Sequence, residues 1–302
     1  MKISGFTFAR DVAKLGYPIR ESIESILPIC DEFVIALGDC QKDDKTEEVI
    51  NSIGSDKIKI VHTKWGDRNV KGAKVYSEET NIALDNCSGD WCFYIQLDEV
   101  IHEDDLDEIV EVCKEYKDNP KVEGLLFQYR HLYGDYNHYF VNHKWYQREV
   151  RIVKNGIGVH SVGDAQSFKI GSNRKLNVIE LKARVFHYGW VRHPKEMQSR
   201  NRVITKNYHG DKADKIYTRN QEFYDYGTLE NIPILKESHP SIMKQRVNSF
   251  DWADYLQYSG KSKTPRVDER LKYRVLTFIE QFFFGGTGKQ PWGYKPYRII
   301  KG

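Results

Sequence analysis

An apolar stretch of the sequence ends abruptly in the carboxylates of Asp98 and Glu99. The stretch covers residues 91–97 and is typical of a strand that is buried on both faces of a sheet. A carboxylate at the tip of such a strand can hold Mg²⁺ or Mn²⁺, because these hard cations prefer oxygen ligands and take further ligands from substrate phosphates. The alternative is that Asp98 or Glu99 caps the following helix, where acidic side chains are also favourable. The spacing alone leaves both interpretations open.

A further acidic side chain, Asp39, follows a second apolar stretch at residues 33–37, with Gly38 between them. In a parallel sheet the carboxyl ends of the strands lie at one edge, and ligands bind just beyond that edge. Asp39 and Asp98 are therefore expected at the same edge of the sheet.

The elements that position these carboxylates alternate between strands and helices. Strands are predicted at residues 2–8, 33–37, 58–62 and 91–97, and helices at residues 17–27, 46–53, 75–86 and 106–116. This alternation predicts an α/β fold with a mostly parallel sheet that helices cover on both faces.

The pattern changes after residue 120. Strands of a meander or a mixed sheet are predicted at residues 124–133, 139–146, 149–154 and 183–187, and a helix is predicted at residues 194–208. Residues 210–265 are polar and irregular, with one short helix expected at residues 242–255. The last helix is predicted at residues 267–284, with an apolar stripe formed by Leu271, Val275, Phe278 and Phe282.

Composition and charge exclude several classes of protein. With 302 residues, of which 40% are hydrophobic and 29% charged, the chain has the composition of a soluble globular protein rather than a disordered one. The net charge of +3 argues against a dedicated nucleic-acid binder, so no nucleic-acid partner is expected. From residue 261 onward, ten Lys or Arg face three Asp or Glu, a local charge of +7. This basic region either favours an anionic membrane surface or is a solvated face.

The five cysteines are odd in number and show no C-x-x-C spacing, which argues against a disulfide framework or a zinc site. The N-terminal residues lack the uninterrupted apolar region of a signal peptide. No run approaches the ~20 apolar residues that a membrane span requires. A cytoplasmic location is therefore expected, and the basic C-terminal region leaves peripheral contact with a membrane open.

Four groups of residues follow one another along the chain. They are Gly38-Asp39 with Asp43, Asp44 and Thr46; Asn81-Ile82-Ala83-Leu84 with Gly89-Asp90-Trp91; Gln96-Leu97-Asp98-Glu99; and Phe186-His187-Tyr188-Gly189. In their types and order they resemble the motifs of family 2 glycosyltransferases with the GT-A fold. The resemblance covers residues 1–210.

The resemblance implies a GT-A, Rossmann-like fold and a division of the chain. Residues 1–120 would bind the donor nucleotide, residues 121–210 would form the acceptor half, and residues 211–302 would be a C-terminal, mainly helical extension. The implied activity is the transfer of a sugar from a UDP-, GDP- or dTDP-linked donor to a hydroxyl group of a glycan or lipid-linked acceptor. The transfer would invert the sugar and use a divalent cation, Mn²⁺ or Mg²⁺.

The resemblance also implies roles for single residues. Asp98 would be the last acid of the D-x-D element and would bind the cation at the donor diphosphate, with His187 as the second protein ligand. Gln96 replaces the first acid of that element, and its amide can still bond to a ribose hydroxyl. A lone histidine is more commonly a packed or capping residue, and His193 is a rival to His187 for the same role.

The donor pocket is implied at the ends of the first two strands. Asp39 would contact the base, and Thr7 and Phe8 would form the floor of the same pocket. Arg192 either reaches a phosphate of the donor or lies at the protein surface; the sequence leaves both open.

Inverting sugar transfer also needs a carboxylate that accepts the proton of the acceptor hydroxyl. The stretch that matches the family's position for this base covers residues 159–166, and Asp164 is the candidate. An aspartate after Gly163 is equally typical of a turn.

Two other functions fit the same residues. Nucleotidyl transfer also uses acids at strand ends, but it commonly has a Gly-rich basic loop after the first strand, and residues 8–14 have only the basic part. The second alternative is a protein that binds nucleotides or glycans without catalysis. In that case Gln96, which replaces an acid, would indicate that cation-dependent catalysis has been lost. Glycosyl transfer is the leading hypothesis because Asp98 remains.

Overall fold

A computed structural model describes residues 1–65, 73–212, 221–263, 265–284, 290, 293 and 295–301. The strands are β1 (Ile3–Ala9), β2 (Glu32–Leu37), β3 (Ile58–His62), β4 (Trp91–Tyr94), β5 (Glu99–Ile101), β6 (Gly124–Tyr133), β7 (Tyr139–Phe140), β8 (Arg148–Lys154), β9 (Val159–Val162), β10 (Ser167–Ile170), β11 (Leu176–Trp190) and β12 (Tyr297–Ile299). The helices are α1 (Ile19–Ile26), α2 (Thr46–Asn51), α3 (Lys74–Asp85), α4 (Leu106–Tyr116), α5 (Pro194–His209), α6 (Lys244–Asn248) and α7 (Leu271–Phe283).

The first half of the chain forms a parallel sheet around β1. This strand pairs in parallel with β2 on one side and with β4 on the other, and β2 pairs in parallel with β3. The order β3-β2-β1-β4 is that of a Rossmann-type half. The α/β class predicted from the sequence is therefore confirmed for this part of the chain.

Helices cover both faces of this half, which explains why its strands are apolar throughout. Phe33 and Ile35 of β2 pack with Ile23 of α1 on one face. Val34 of the same strand packs on the other face with Leu84 of α3. Successive side chains of a strand point to opposite faces, so β2 needs an apolar residue at each position.

The second half extends the sheet with mixed pairing. The full order is β12-β11-β6-β8-β4-β1-β2-β3. Strand β8 runs antiparallel to both of its neighbours, β4 and β6, whereas β6, β11 and β12 are parallel to one another. The strand predicted at residues 183–187 is only part of β11, and β12 was not predicted. The strand predicted at residues 139–146 is wrong beyond Phe140, because the chain leaves β7 there for a loop.

The two carboxylates that follow β4 do not cap a helix. Glu99 begins β5, which pairs antiparallel with β11 so that Glu99 lies opposite His187. The short 3₁₀ helix Glu103–Asp105 is capped by His102, whose Nδ1 accepts a hydrogen bond from the Asp104 amide at 3.2 Å. The capping alternative for Asp98 and Glu99 is therefore wrong.

The segment after residue 220 packs on the sheet through two aromatic clusters. Met243 and Trp252 contact Tyr136 and Tyr188 in one of them. The Arg246 guanidinium binds Glu21 at 2.6 Å and also donates to the backbone carbonyls of residues 16 and 17. The helices α6 and α7 lie within residues 211–302, where the sequence predicted a C-terminal helical extension. Strand β12 then joins the edge of the sheet beside β11. No helix among the described residues is long and apolar enough to cross a membrane.

A buried ion pair holds the turn between β4 and β5. Two nitrogens of Arg151 bind the Glu99 carboxylate at 2.9 and 2.7 Å, and both side chains are fully buried. The same carboxylate accepts from the Tyr129 hydroxyl at 2.7 Å and from the backbone N–H of Gln96 at 3.1 Å. Glu99 thus fixes the backbone conformation on which Asp98 is presented.

We expect Arg151→Met to lower the free energy of unfolding by about 3–5 kcal/mol, because it leaves Glu99 buried without its partner. Chemical denaturation followed by circular dichroism measures this. The matched control is Arg20→Met, which breaks the more exposed pair with Glu24 (2.8 Å) and should cost about 1 kcal/mol or less. Equal losses in the two variants would contradict this role of the buried pair.

Candidate active site

A cavity of about 480 Å³ lies beyond the carboxyl ends of β1 and β4. Of the residues singled out in the sequence, it is lined by Phe8, Gln96, Asp98, Asp164 and His187. The structure therefore brings together the proposed cation ligands and the proposed base. Three cations, Arg10, Lys144 and Arg200, line the same cavity.

Asp98 is 4% exposed and is surrounded by positive partners. Its Oδ2 lies 3.5 Å from Nε2 of His187 and 3.3 Å from Nη2 of Arg200. Burial alone would raise the pKa of Asp98, but the interactions with His187, Arg200 and Arg192 outweigh it and hold the pKa well below its usual value. Asp98 is therefore a carboxylate at neutral pH, as a cation ligand must be.

The ring of His187 is oriented by a second buried histidine. Nε2 of His131 donates to the Tyr146 carbonyl at 2.6 Å, since a carbonyl can only accept. Burial, and then His187, hold the pKa of His131 well below its usual value, so this ring is neutral and its Nδ1 is an acceptor. Nδ1 of His187 consequently donates to His131 at 2.9 Å. Nε2 of His187 is then the ring atom that faces Asp98.

Gly189 lets the side chains of His187 and Asp98 pack directly against the backbone. A Cβ atom built on residue 189 would lie 2.5 Å from Nε2 of His187 and 2.6 Å from Oδ2 of Asp98. Such contacts are too short for carbon, so a residue without a side chain is what lets His187 and Asp98 take these positions. Oδ2 of Asp98 and Nε2 of His187 are 3.5 Å apart, close enough for one small divalent ion to contact both at ~2.1 Å. One carboxylate oxygen and one imidazole nitrogen also suit Mn²⁺ chemically. The residues present therefore fit the divalent cation that the resemblance implies.

Arg192 lies below this point and does not line the cavity. It is 2% exposed, so the surface alternative is wrong. Its guanidinium donates to the carbonyls of Leu15 (2.8 Å) and Gly189, which ties the end of β11 to the loop after β1. Its Nη2 has no hydrogen-bond partner among the described residues. A direct contact between Arg192 and a donor phosphate stays a prediction.

Asp164 lies in the turn of the β9–β10 hairpin and lines the cavity. Its Oδ2 accepts from the Tyr208 hydroxyl at 2.6 Å. Gln96 donates to the Ala165 carbonyl at 3.4 Å, and Arg151 donates to the Gln166 carbonyl at 3.0 Å. Asp164 is therefore a turn residue, as one interpretation held, and the turn is fixed so that it faces the cavity.

An aromatic surface lines the cavity next to β1. The ring of Phe8 stacks on Tyr76 with a centroid distance of 5.4 Å and lies 6.0 Å from Trp65. The Arg10 guanidinium lies 5.3 Å from the Trp65 ring centroid. The sequence analysis did not single out Trp65, Tyr76 or Arg10. Trp65 and Tyr76 belong to no sequence motif from which a position at the cavity could have been predicted.

Two residues assigned to the donor pocket lie outside this cavity. Thr7 is fully buried, and its hydroxyl donates to the Phe8 carbonyl at 3.4 Å. Asp39 accepts from the Trp65 amide at 3.0 Å, so it holds the backbone that carries the aromatic ring. Contact of Asp39 with a base stays a prediction.

The helix α5 forms a further wall and supplies residues that the sequence analysis missed. Its lining residues are Arg200, Val203, Ile204, Asn207 and Tyr208. The spacing of three and four residues places them on one face of the helix, a signal that was present in the sequence. Arg200 is the important omission, because it contacts Asp98 directly.

A separate group of ligand-type side chains, Asp11, Cys40 and Asp44, lies close together among the described residues. Asp11 and Asp44 already accept hydrogen bonds from backbone amides of neighbouring loops. None of the three lines the cavity. Together with Thr46, which accepts from the amides of residues 12 and 13, they shape the loop after β1.

The fold and the cavity define the class of the chain as an α/β protein with a ligand site at the carboxyl edge of a Rossmann-type half. No protein-family model matches the sequence, and no curated protein matches it. Among solved structures, the chain is similar to S. aureus TarS, with 14% identity and a TM-score of 0.40 over 74% of this chain and 41% of that one. A second TarS structure, of residues 1–349, gives 15% identity and a TM-score of 0.37, with 68% and 65% covered.

The chain is also similar to glucosyl-3-phosphoglycerate synthase from Mycobacterium tuberculosis in complex with Mn²⁺, UDP and phosphoglyceric acid. The identity is 19% and the TM-score 0.31, over 43% of each chain. TarS and this synthase are GT-A glycosyltransferases. The chain spans less than half the length of either full chain.

We expect Gly189→Ala to abolish cation-dependent nucleotide binding, because the added methyl group would collide with His187 and Asp98 and displace these proposed cation ligands. Calorimetry with UDP, GDP and dTDP, with and without Mn²⁺, measures this. A melting temperature near that of the unchanged chain establishes that the variant is folded. Retained Mn²⁺ dependence in a folded variant would show that the cation binds elsewhere.

The two rival histidines can be separated in the same assay. We expect His187→Ala to weaken Mn²⁺-dependent binding at least about tenfold, as loss of a ligand does. His193→Ala should leave it unchanged, since His193 caps α5 by accepting from the Lys195 amide at 3.2 Å. The opposite result would assign the ligand role to His193.

Proposed function

We propose that the chain transfers a sugar from a nucleoside-diphosphate sugar to a hydroxyl group of a glycan or lipid-linked acceptor, with inversion and with a divalent cation. The observation that carries this proposal is the approach of Asp98 Oδ2 to His187 Nε2 at 3.5 Å, in a cavity that basic side chains and aromatic rings also line. A nucleoside-diphosphate sugar combines the three features such a cavity suits: a flat base, a diphosphate and a polar ring.

The donor is proposed to lie between the aromatic surface and α5. Trp65 and Tyr76 offer ring faces to a nucleobase, and base–aromatic stacking contributes about 1–3 kcal/mol. Gln96 offers an amide to the ribose. Arg10 and Arg200 provide guanidinium groups for the diphosphate, whose oxygens they can bind in pairs. Which base is bound, uracil, guanine or thymine, is left to the binding experiment below.

Asp98 and His187 are proposed to hold Mn²⁺ or Mg²⁺. Such an ion supplies positive charge that stabilises the departing diphosphate. Arg200 would then have two roles. Its guanidinium contacts the Asp98 carboxylate at 3.3 Å, and it could also bind a phosphate of the donor. Replacement of the first D-x-D acid by Gln96 leaves Asp98 as the carboxylate at this point.

Asp164 is proposed to be the general base. The Tyr208 hydroxyl binds Oδ2, and Oδ1 has no hydrogen-bond partner among the described residues, so it can accept the acceptor's proton. In this step the acceptor oxygen forms a bond to the anomeric carbon while the bond from that carbon to the diphosphate breaks. The proton passes to Asp164, and the electron pair leaves with the diphosphate. Attack from the side opposite the leaving group inverts the carbon.

The test is an assay of the purified chain against UDP-, GDP- and dTDP-linked sugars with Mn²⁺ or with a chelator. We expect release of a nucleoside diphosphate that requires the cation and that falls to background in Asp98→Ala. A thermal-shift screen with the three diphosphates identifies the base, since a ligand of the folded state raises the melting temperature. Pyrophosphate release from a nucleoside triphosphate and a sugar phosphate would instead identify nucleotidyl transfer. Binding without turnover would identify a non-catalytic protein.

We expect Asp164→Asn to lower kcat about 10²- to 10⁴-fold, the contribution of a positioned base, while the Kd for the nucleotide changes little. Steady-state kinetics and calorimetry measure the two quantities. The matched control is Asp85→Asn at the exposed end of α3, which should change neither. A normal kcat in Asp164→Asn would remove this residue from the mechanism.

A further inference from the structure

The helix α7 turns its apolar side to solvent. Leu271, Phe278 and Phe282 are 76%, 62% and 70% exposed, and Val275 and Phe283 are exposed as well. These side chains recur every three or four residues, so they form one continuous stripe along the helix. Phe278 and Phe282 stack with a centroid distance of 5.6 Å. Monomeric soluble proteins seldom leave such a patch uncovered, and it marks an interaction surface.

The helix is attached to the protein by its polar side. Oε1 of Glu280 binds Nδ1 of His143 at 2.8 Å, and the Thr277 hydroxyl accepts from the His143 amide at 3.0 Å. Gln281 donates to the Val141 carbonyl at 3.0 Å. A surface helix of a globular protein ordinarily buries its apolar side and exposes its polar side. In α7 this arrangement is reversed, and the reversal is held by specific hydrogen bonds.

Unpaired cations flank the apolar stripe. Arg270, Lys272 and Arg274 are exposed, and none has an acidic partner among the described residues. At 100° per residue, Lys272 and Arg274 lie on opposite sides of the stripe. The stripe is therefore bordered by positive charge along both edges at the start of the helix.

The acidic residues of this region cannot neutralise these cations, because each already has a partner. Asp268 and Glu269 bind Arg266 at 3.2 and 3.3 Å. Glu280 is buried against His143. The charge that the surface of α7 presents is thus positive.

We propose that α7 binds the surface of an anionic lipid bilayer. The helix lies in the plane of the membrane, with Phe278 and Phe282 inserted among the headgroups and Lys272 and Arg274 at the level of the lipid phosphates. Its 13 residues extend over about 20 Å at 1.5 Å per residue, short of the roughly 30 Å of the bilayer core, so it lies on the membrane rather than across it. An apolar face with basic borders is the pattern of interfacial helices.

Charge favours lipid over a second copy of the chain. A symmetric contact between two α7 stripes would place the cations of both copies at its border, with no free carboxylate on either helix to pair with them. Anionic headgroups supply the missing negative charge. Each Lys or Arg near such a surface strengthens binding by about fivefold, which is roughly 1 kcal/mol.

The docked helix is close to the candidate active site. Nζ of Lys144 lies 5.2 Å from the ring centroid of Tyr273 in α7, and Lys144 also lines the cavity. Lys144 therefore connects the inner side of α7 to the wall of the cavity. The membrane proposal does not depend on sugar transfer, because it rests on α7 alone.

The experiment is co-sedimentation of the full chain with vesicles of phosphatidylcholine alone and of equal parts phosphatidylcholine and phosphatidylglycerol. We expect binding to the anionic vesicles that weakens as salt is added, with little binding to the neutral ones. Phe278→Ser combined with Phe282→Ser should reduce the partition coefficient at least about tenfold, since two large apolar groups no longer leave water. Lys272→Glu combined with Arg274→Glu should reduce it by a similar factor.

The matched control is Ile234→Ser, which removes another exposed apolar side chain (62% exposed) away from α7 and should leave binding unchanged. Melting temperatures establish that each variant is folded, as expected for changes at exposed positions. Absence of binding to anionic vesicles, or binding that the α7 variants do not weaken, would overturn the proposal. So would a concentration-dependent dimer that the same variants dissociate, because the stripe would then be covered by a second copy.

Discussion

The antiparallel pairing of β5 with β11 is the constraint on which the candidate site depends. It places Glu99 opposite His187, and the Tyr188 amide donates to the Asp98 carbonyl at 2.7 Å. Asp98 comes from a loop that leaves the parallel half, whereas His187 comes from the long strand of the second half. Without this pairing the two side chains would belong to separate parts of the sheet. The fully buried Arg151 holds the turn that makes the pairing geometrically feasible.

Charge balance explains why these groups tolerate burial. A buried carboxylate without partners would take up a proton, but Asp98 has Arg200 and His187 within 3.5 Å. The surrounding cations therefore keep the site in the ionised form that a divalent ion requires. The same cations match the negative charge of a diphosphate. One set of side chains thus stabilises the site before a ligand binds and is available to the ligand afterwards.

The sequence was sufficient where the signal is local. Apolar stretches predicted the strands around β1, and the resemblance of short motifs to those of a known family singled out Asp98 and His187, which the structure brings within 3.5 Å of each other. The sequence was insufficient where the position of a residue depends on a contact with a residue far away in the chain. Glu99 looked like a helix cap because its partner, Arg151, lies 52 residues away. Trp65 lines the cavity from the loop after β3, and Arg200 lines it from α5. The pattern of apolar residues does not predict how these two elements are placed relative to each other. The apolar stripe of α7 was predicted correctly, but not that the helix would be attached by its other side.

The contacts of Arg246 have a consequence for how the molecule unfolds. This side chain belongs to α6, yet it binds Glu21 and the carbonyls of Gly16 and Tyr17 beside the loop that borders the cavity. Detachment of the C-terminal segment would release that loop and expose the aromatic cluster around Tyr136 and Tyr188. We therefore expect the two segments to unfold together, so that a substitution at Arg246 would also affect the loop at the cavity, more than 200 residues earlier in the chain.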